Sequence, residues 1–213
     1  HGCSVDHVIF QFYTNLKGTE TPKDVKEKTD ILNRFEITLS NAEIFLKESK
    51  SLKGKFEPIG VVQGWSPDSM ASAADSLIKM GYEYLAIGGM VPLSADSILL
   101  ALDSVSKKIK KDTKIHLLGF AKIDRIKEFQ KYNLYSIDTT SPLLRAFKDS
   151  KHNLIMPGKK DDFTYYTAFR IPQSTENRSL MRLIKNNLFS YEEVHIKEKN
   201  TLKLLRSFED GSA

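Results

Sequence analysis

The chain has 213 residues, 40% hydrophobic and 28% charged, a composition that is globular rather than disordered and suits one domain large enough to bury a core. No run approaches the ~20 apolar residues of a membrane span, no basic-then-apolar leader opens the chain, and Cys3, the one cysteine, excludes an internal disulfide or a thiolate zinc cluster. Lys and Arg total 32 against 27 Asp and Glu, a net charge of +5, an excess too mild to name a partner by itself.

The chain opens without Met, as expected of a processed product or an excised domain, and its cysteine usage points to a cytoplasmic setting. A strand is predicted over Gly2–Val5, with Asp6 at its end. After the breaker Gly18-Thr19-Glu20-Thr21-Pro22, Ile31, Leu32, Phe35, Leu39, Ala42, Phe45 and Leu46 recur at helical spacing and predict a helix over Lys23–Leu52, closed by Gly54. Pro58–Gln63 reads as a buried strand, because Ile59, Val61 and Val62 leave no polar face. Ser66-Pro67-Asp68 supplies an N-cap, a proline at the first helical position and an acid in the first turn. That helix stops at Gly81.

The same grammar then repeats. Tyr84–Ile87 is a strand ending in Gly88-Gly89, and Ser94 caps a helix carrying Ile98, Leu99, Leu102, Val105 and Ile109. Ile115–Leu118 is a strand ending at Gly119, with a helix near Ile123–Tyr132. Leu134–Ile137 is a strand ending at Asp138, and Ser141-Pro142 starts the helix Leu143–Lys148. Such alternation predicts an α/β fold with parallel strands and right-handed crossovers. Five βα units do not close a (β/α)8 barrel of ~250 residues, so the alternatives are an open doubly wound sheet or the C-terminal portion of a barrel. From Lys151 onward the pattern changes: Met156-Pro157-Gly158 reads as a turn, Phe163–Ile171 as irregular or extended, and helices are expected near Glu176–Leu188 and Tyr191–Phe208. Residues 1–150 and 151–213 are therefore read as a βα body and a small appendage.

Chemistry is expected where the strands end, since active sites of β/α folds are built at the carboxyl ends. Asp138 lies between a strand and a helix start, where a carboxylate can serve as nucleophile toward an electrophilic carbon such as a sugar C1; the alternative is an Asx-turn. Asp6, acceptor-only, suits a ring with adjacent N–H donors, or else is satisfied by loop amides. Gln63 offers a donor and an acceptor to a lactam or amidine edge, or a bond within the fold. Gly88 and Gly89 permit close approach of a flat ligand, or simply make a turn. Singly these signals are weak; the order Asp, Gln, Gly-Gly, Asp on successive strand ends is stronger. Trp65 and Met90 suit loop packing or a pocket wall. His7, His116, His152 and His195 are scattered and suggest no metal site.

At these residues the chain resembles the tRNA-guanine transglycosylase superfamily, over strands four to eight of its barrel. Gly60-Val61-Val62-Gln63-Gly64 is similar to the family's Gly-x-Val-Gln-Gly, and Ala86-Ile87-Gly88-Gly89 to its Ile-Gly-Gly; Leu117-Leu118-Gly119 and Ser136-Ile137-Asp138 resemble the next two strand ends. The resemblance implies that Asp138 is the covalent nucleophile at the ribosyl carbon and that Asp6, Gln63, Gly88 and Gly89 form the site of a 7-deazaguanine base. The family's zinc cysteines have no counterpart after the last strand, so no cofactor is expected. Ser4-Val5-Asp6-His7-Val8 and Phe169-Arg170-Ile171-Pro172-Gln173 look more like the branch that places 7-deazaguanines into DNA than like the tRNA enzymes of queuosine-type modification. The family's second catalytic aspartate, a general acid/base, belongs to barrel units absent here, so activity of the fragment alone is not implied.

Two patterns of charge bear on partners. Lys107, Lys108, Lys110 and Lys111 cluster at one helix end, where lysines complement the dipole in solvent. Arg170, Arg178, Arg182 and Lys185, opposed by Glu176, suit phosphates. DNA is the expected partner, with tRNA the alternative; no membrane is expected, and a homodimer or a partner subunit stays open. Two other classes remain: a β/α enzyme of a phosphorylated metabolite, for which Gly119-Phe120-Ala121-Lys122 is a poor phosphate nest, and a catalytically silent nucleic-acid-binding subunit.

Overall fold

A computed structural model describes residues 1–52, 54–149, 151–158, 163–168 and 177–212. The elements run β1 (Gly2–Cys3), α1 (Val25–Ser51), β2 (Pro58–Val62), α2 (Pro67–Met80), β3 (Tyr84–Ile87), α3 (Ala95–Ser106), β4 (Lys114–Leu117), a 3-10 helix (Ile123–Tyr132), β5 (Leu134–Ile137), α4 (Ser141–Lys148), β6 (Leu154–Pro157), β7 (Phe163–Tyr166), α5 (Arg178–Lys185) and α6 (Tyr191–Glu209). Two compact units result, His1–Ser141 and Pro142–Ala213. No described helix is long and apolar enough to cross a membrane.

In the first unit five strands pair in parallel in chain order, β1-β2-β3-β4-β5. A doubly wound sheet reverses its strand order at a switch point. Here no reversal occurs, and the sheet is the wall of a partial (β/α)8 barrel. The two faces of this wall differ. Val62, Leu85, Ile87, Ile115 and Leu117 form one core with Met70, Ala74, Leu77, Ile98, Leu102 and Val105 of α2 and α3. Each such fully buried aliphatic side chain contributes on the order of 1.5–3 kcal/mol. The opposite face carries Ile59, Val61, Tyr84 and Ala86, with Leu118 packed on them.

The caps form as the spacing predicts. Ser66 accepts from the Ser69 N–H while Ser69 Oγ takes the Ser66 N–H, a reciprocal capping box ahead of Pro67. Gly81 ends α2 at φ 107°, in the left-handed region. Ser94 caps α3 through the Ser97 N–H. β1 is shorter than expected, because Ser4 Oγ itself takes the Val61 N–H at 3.0 Å and replaces a backbone partner.

The helix expected at Ile123–Tyr132 forms, and it is a 3-10 helix. Ile123, Ile126, Phe129 and Tyr132 recur every third residue, the period of that helix, and all four pack into the main core. In the second unit, Met156 and Pro157 belong to β6 rather than to a turn, and pair antiparallel with Thr164 and Phe163 of β7. Proline is tolerated there because both strands of a two-stranded sheet are edges. Asn153 extends the hairpin: its side-chain amide donates to Ala168 O and its Oδ1 accepts the Ala168 N–H.

Candidate active site

The parallel wall brings its carboxyl ends to one rim, and the sequence-predicted groups fall there in chain order. Gln63 follows β2, Gly88-Gly89 follow β3, and Asp138 follows β5. Asp6 lies three residues beyond Cys3, after the Ser4 N–H has made a last ladder bond to Ile59 O.

Asp6, Gln63, Gly88 and Gly89 form one knot. Gln63 is 1% exposed, and a buried amide has to find partners. Its Nε2 donates to Asp6 Oδ2 at 2.6 Å and its Oε1 accepts the Ile9 N–H at 3.2 Å. These bonds fix which end of the amide is which. The amide plane lies directly on Gly88: a Cβ there would sit 3.0 Å from Gln63 Cδ and overlap Nε2. Gly89 takes φ +71°, and a Cβ on it would come within 3.1 Å of Ile9 O. Both glycines are therefore required by close approach. Asp6 itself is half-buried.

Asp138 sits on the same side of the wall. Its backbone N–H bonds Leu117 O at 3.3 Å and its carbonyl takes the Phe120 N–H at 2.9 Å, which ties the strand end down. Its Oδ1 accepts the Gly119 N–H at 2.9 Å and meets His116 Nε2 at 3.2 Å. The side chain is 59% exposed against 14% for His116. Behind it, His116 Nδ1 lies 2.6 Å from Ser136 Oγ, and Ser136 Oγ 2.5 Å from the Tyr84 hydroxyl. Cys3 lies close enough to feel both acids: partial loss of solvent around the thiol, then the charges of Asp6 and Asp138, push its pKa up. Cys3 is an exposed residue, paired with Ile59 of β2 at the end of β1.

His116, Ser136 and Tyr84 are absent from the sequence-level list of site residues. The β4–β5 ladder pairs Ile115 with Leu134 and then His116 with Ser136, skipping Tyr135. That irregularity puts Ser136 and Asp138 on the face of His116. A visible signal is the polar spacing, His116 three residues before Gly119 and Ser136 two before Asp138, in strands otherwise apolar on the helix side.

Trp65 and Met90 are packing residues. Trp65 is buried, donates Nε1–H to Glu20 O and meets Phe35 edge-on, while Met90 lies in the main core. Among the described residues no three His, Cys, Asp or Glu side chains are grouped to hold a metal ion; the residues present do not assemble the family's zinc site. In the second unit, Arg178, Arg182 and Lys185 are exposed on α5, capped by Asn177, with Leu180, Leu183 and Ile184 half-buried on its other side. Arg170 lies outside the described residues.

No family model matches the chain. A DNA-guanine transglycosylase from Salmonella montevideo is 35% identical over 215 residues, an alignment covering 100% of this chain and 49% of that protein. The chain therefore spans about half the length of the curated relative it matches. Similar to it from end to end and folded as part of a (β/α)8 barrel, the chain fits a fragment of a tRNA-guanine transglycosylase-superfamily protein.

Proposed function

We propose that the protein exchanges guanine in DNA for a 7-deazaguanine base, through a glycosyl ester on Asp138. One observation carries the reading most: a locked acceptor–donor edge, Asp6 with Gln63 laid on Gly88, shares its side of the wall with an exposed carboxylate at the end of β5. The edge matches a purine-like ring, whose N–H donors and carbonyl need fixed partners of opposite kind. Asp138 matches the electrophile. An oxygen of its carboxylate attacks the deoxyribosyl C1′, and the C1′–N9 bond breaks with its electron pair on the departing guanine. The proton that guanine gains is assigned to the general acid/base aspartate that the family resemblance implies in other barrel units. N9 of the incoming base then passes its proton to the group that had protonated guanine and attacks C1′, and the C1′–O bond breaks with its electron pair on the departing carboxylate.

DNA is favoured over tRNA as the polymer because the relative aligned to all of this chain is named for DNA. The exposed cations of α5 suit a phosphate backbone. The test is adduct trapping in the intact protein. DNA and a base analogue that stalls the second half should leave a covalent protein–DNA band on denaturing gels, and Asp138→Asn should abolish it, since an amide cannot form the glycosyl ester. A band that survives the substitution overturns the proposal; a band formed with tRNA and not with DNA overturns the choice of polymer.

A further inference from the structure

We infer that His116 is a positioning residue for Asp138: it holds one carboxylate oxygen so that the other meets the sugar C1′, and it steadies the carboxylate when the ester breaks. This rests on the proposed role of Asp138 as nucleophile.

The first part follows from where the donors fall. Both the Gly119 N–H and His116 Nε2 address Oδ1. Two donors on one oxygen fix the plane of the carboxylate and leave Oδ2 as the attacking atom. The backbone donor alone would permit rotation about Cβ–Cγ; the imidazole supplies the second point.

The second part follows from counting protons. An ionised carboxylate only accepts, so Nε2 carries the hydrogen. With one hydrogen on the ring, Nδ1 then accepts, and among the described residues the Ser136 hydroxyl lies 2.6 Å away to donate to it. Ser136 Oγ in turn accepts from Tyr84 O–H. Each link has one donor and one acceptor, with no clash, from the interior of the wall to its rim. Such a chain orients every member and strengthens the last bond. His116, Ser136 and Tyr84 all lie on the wall's inner side, and the ladder irregularity at Tyr135 keeps Ser136 level with His116.

A donor on Oδ1 favours the charged carboxylate over the ester. It therefore assists the departure of Asp138 from C1′ more than its attack. His116→Phe in the intact protein should slow base return by about tenfold to a hundredfold, the effect of one lost hydrogen bond to a charge. KM for DNA should fall as trapped adduct rises at steady state, because breakdown of the adduct slows while its formation does not. His116→Gln, whose amide still donates, should recover part of the rate. In the present chain, long-range nitrogen–proton NMR of the ring should show the hydrogen on Nε2, with that preference reduced in Ser136→Ala.

Equal loss of adduct formation and adduct breakdown in His116→Phe would mark a merely structural role and overturn the inference, as would a ring protonated on Nδ1 alone. If His116→Phe does not fold, His116→Gln and the NMR spectrum decide. Adduct surviving in Asp138→Asn overturns the nucleophile assignment itself. Adduct lost there, with wild-type kinetics in His116→Phe, overturns only the role of His116.

Discussion

Gln63 donates its side-chain amide to Asp6 Oδ2 at 2.6 Å across 57 positions of chain. This bond joins the ends of β1 and β2 and presents two polar groups in one fixed orientation. Removing either partner leaves the other partly buried and unsatisfied. Asp6→Ala and Gln63→Ala should each weaken binding of a free 7-deazaguanine to the intact protein, by on the order of 1–3 kcal/mol. Titration calorimetry measures it; unchanged affinity in both variants moves the base pocket elsewhere.

Gly88→Ala should displace the Gln63 amide, because the added methyl overlaps Nε2. Over-packing of this kind costs about 1–3 kcal/mol of stability, and base affinity should fall with it. Gly81→Ala is the control. At φ 107° it strains the end of α2, with nothing within 4 Å of the new methyl. It should lose about 1–2 kcal/mol through the backbone alone, with base affinity intact. Denaturant melts and calorimetry on both variants separate the two effects; a Gly88→Ala variant that binds base normally shows that the close contact does not matter.

Cys3 reports on the charges of Asp6 and Asp138. Loss of solvent, then Asp6, then Asp138 raise its thiol pKa. Only the thiolate reacts, so a raised pKa means less thiolate at a given pH near 8 and slower alkylation by iodoacetamide than for a free cysteine. Asp6→Asn removes one of the raising charges and should speed the reaction, and Asp138→Asn should do so by less. Alkylation rates unaffected by either substitution would mean that the carboxylates do not act on the thiol.

Arg178, Arg182 and Lys185 stand at spacings of four and three on α5 and project to one side. Against a phosphate backbone, binding should weaken as salt rises. Neutralising Arg178 and Arg182 together should reduce the log–log salt slope by about two for duplex DNA, with sequence preference unchanged. A double variant with the parent slope makes this a surface that does not touch phosphate.

Most of the fold was legible because its signals are local. The caps at Ser66 and Ser94, the stop at Gly81 and the apolar runs of β2 and β3 each depend on residues within a few positions of one another, and each formed as spacing predicts. The rim order of Asp6, Gln63, Gly88-Gly89 and Asp138 was legible for the same reason, since a strand end is a local feature and parallel pairing then sets the ends side by side. The helix at Ile123–Tyr132 was legible in the same way, and its 3-10 form agrees with apolar residues recurring every third position. Pro157 misled because proline marks turns, while an edge strand accepts it. What only the tertiary structure decided is the company each rim residue keeps. Whether Gln63 holds Asp6, or His116 holds Asp138, depends on strand register, and the step past Tyr135 between β4 and β5 has no marker in the chain. Side chains of a strand alternate faces with every residue, so a single skipped position determines whether Ser136 and Asp138 stand with His116 or against the helices.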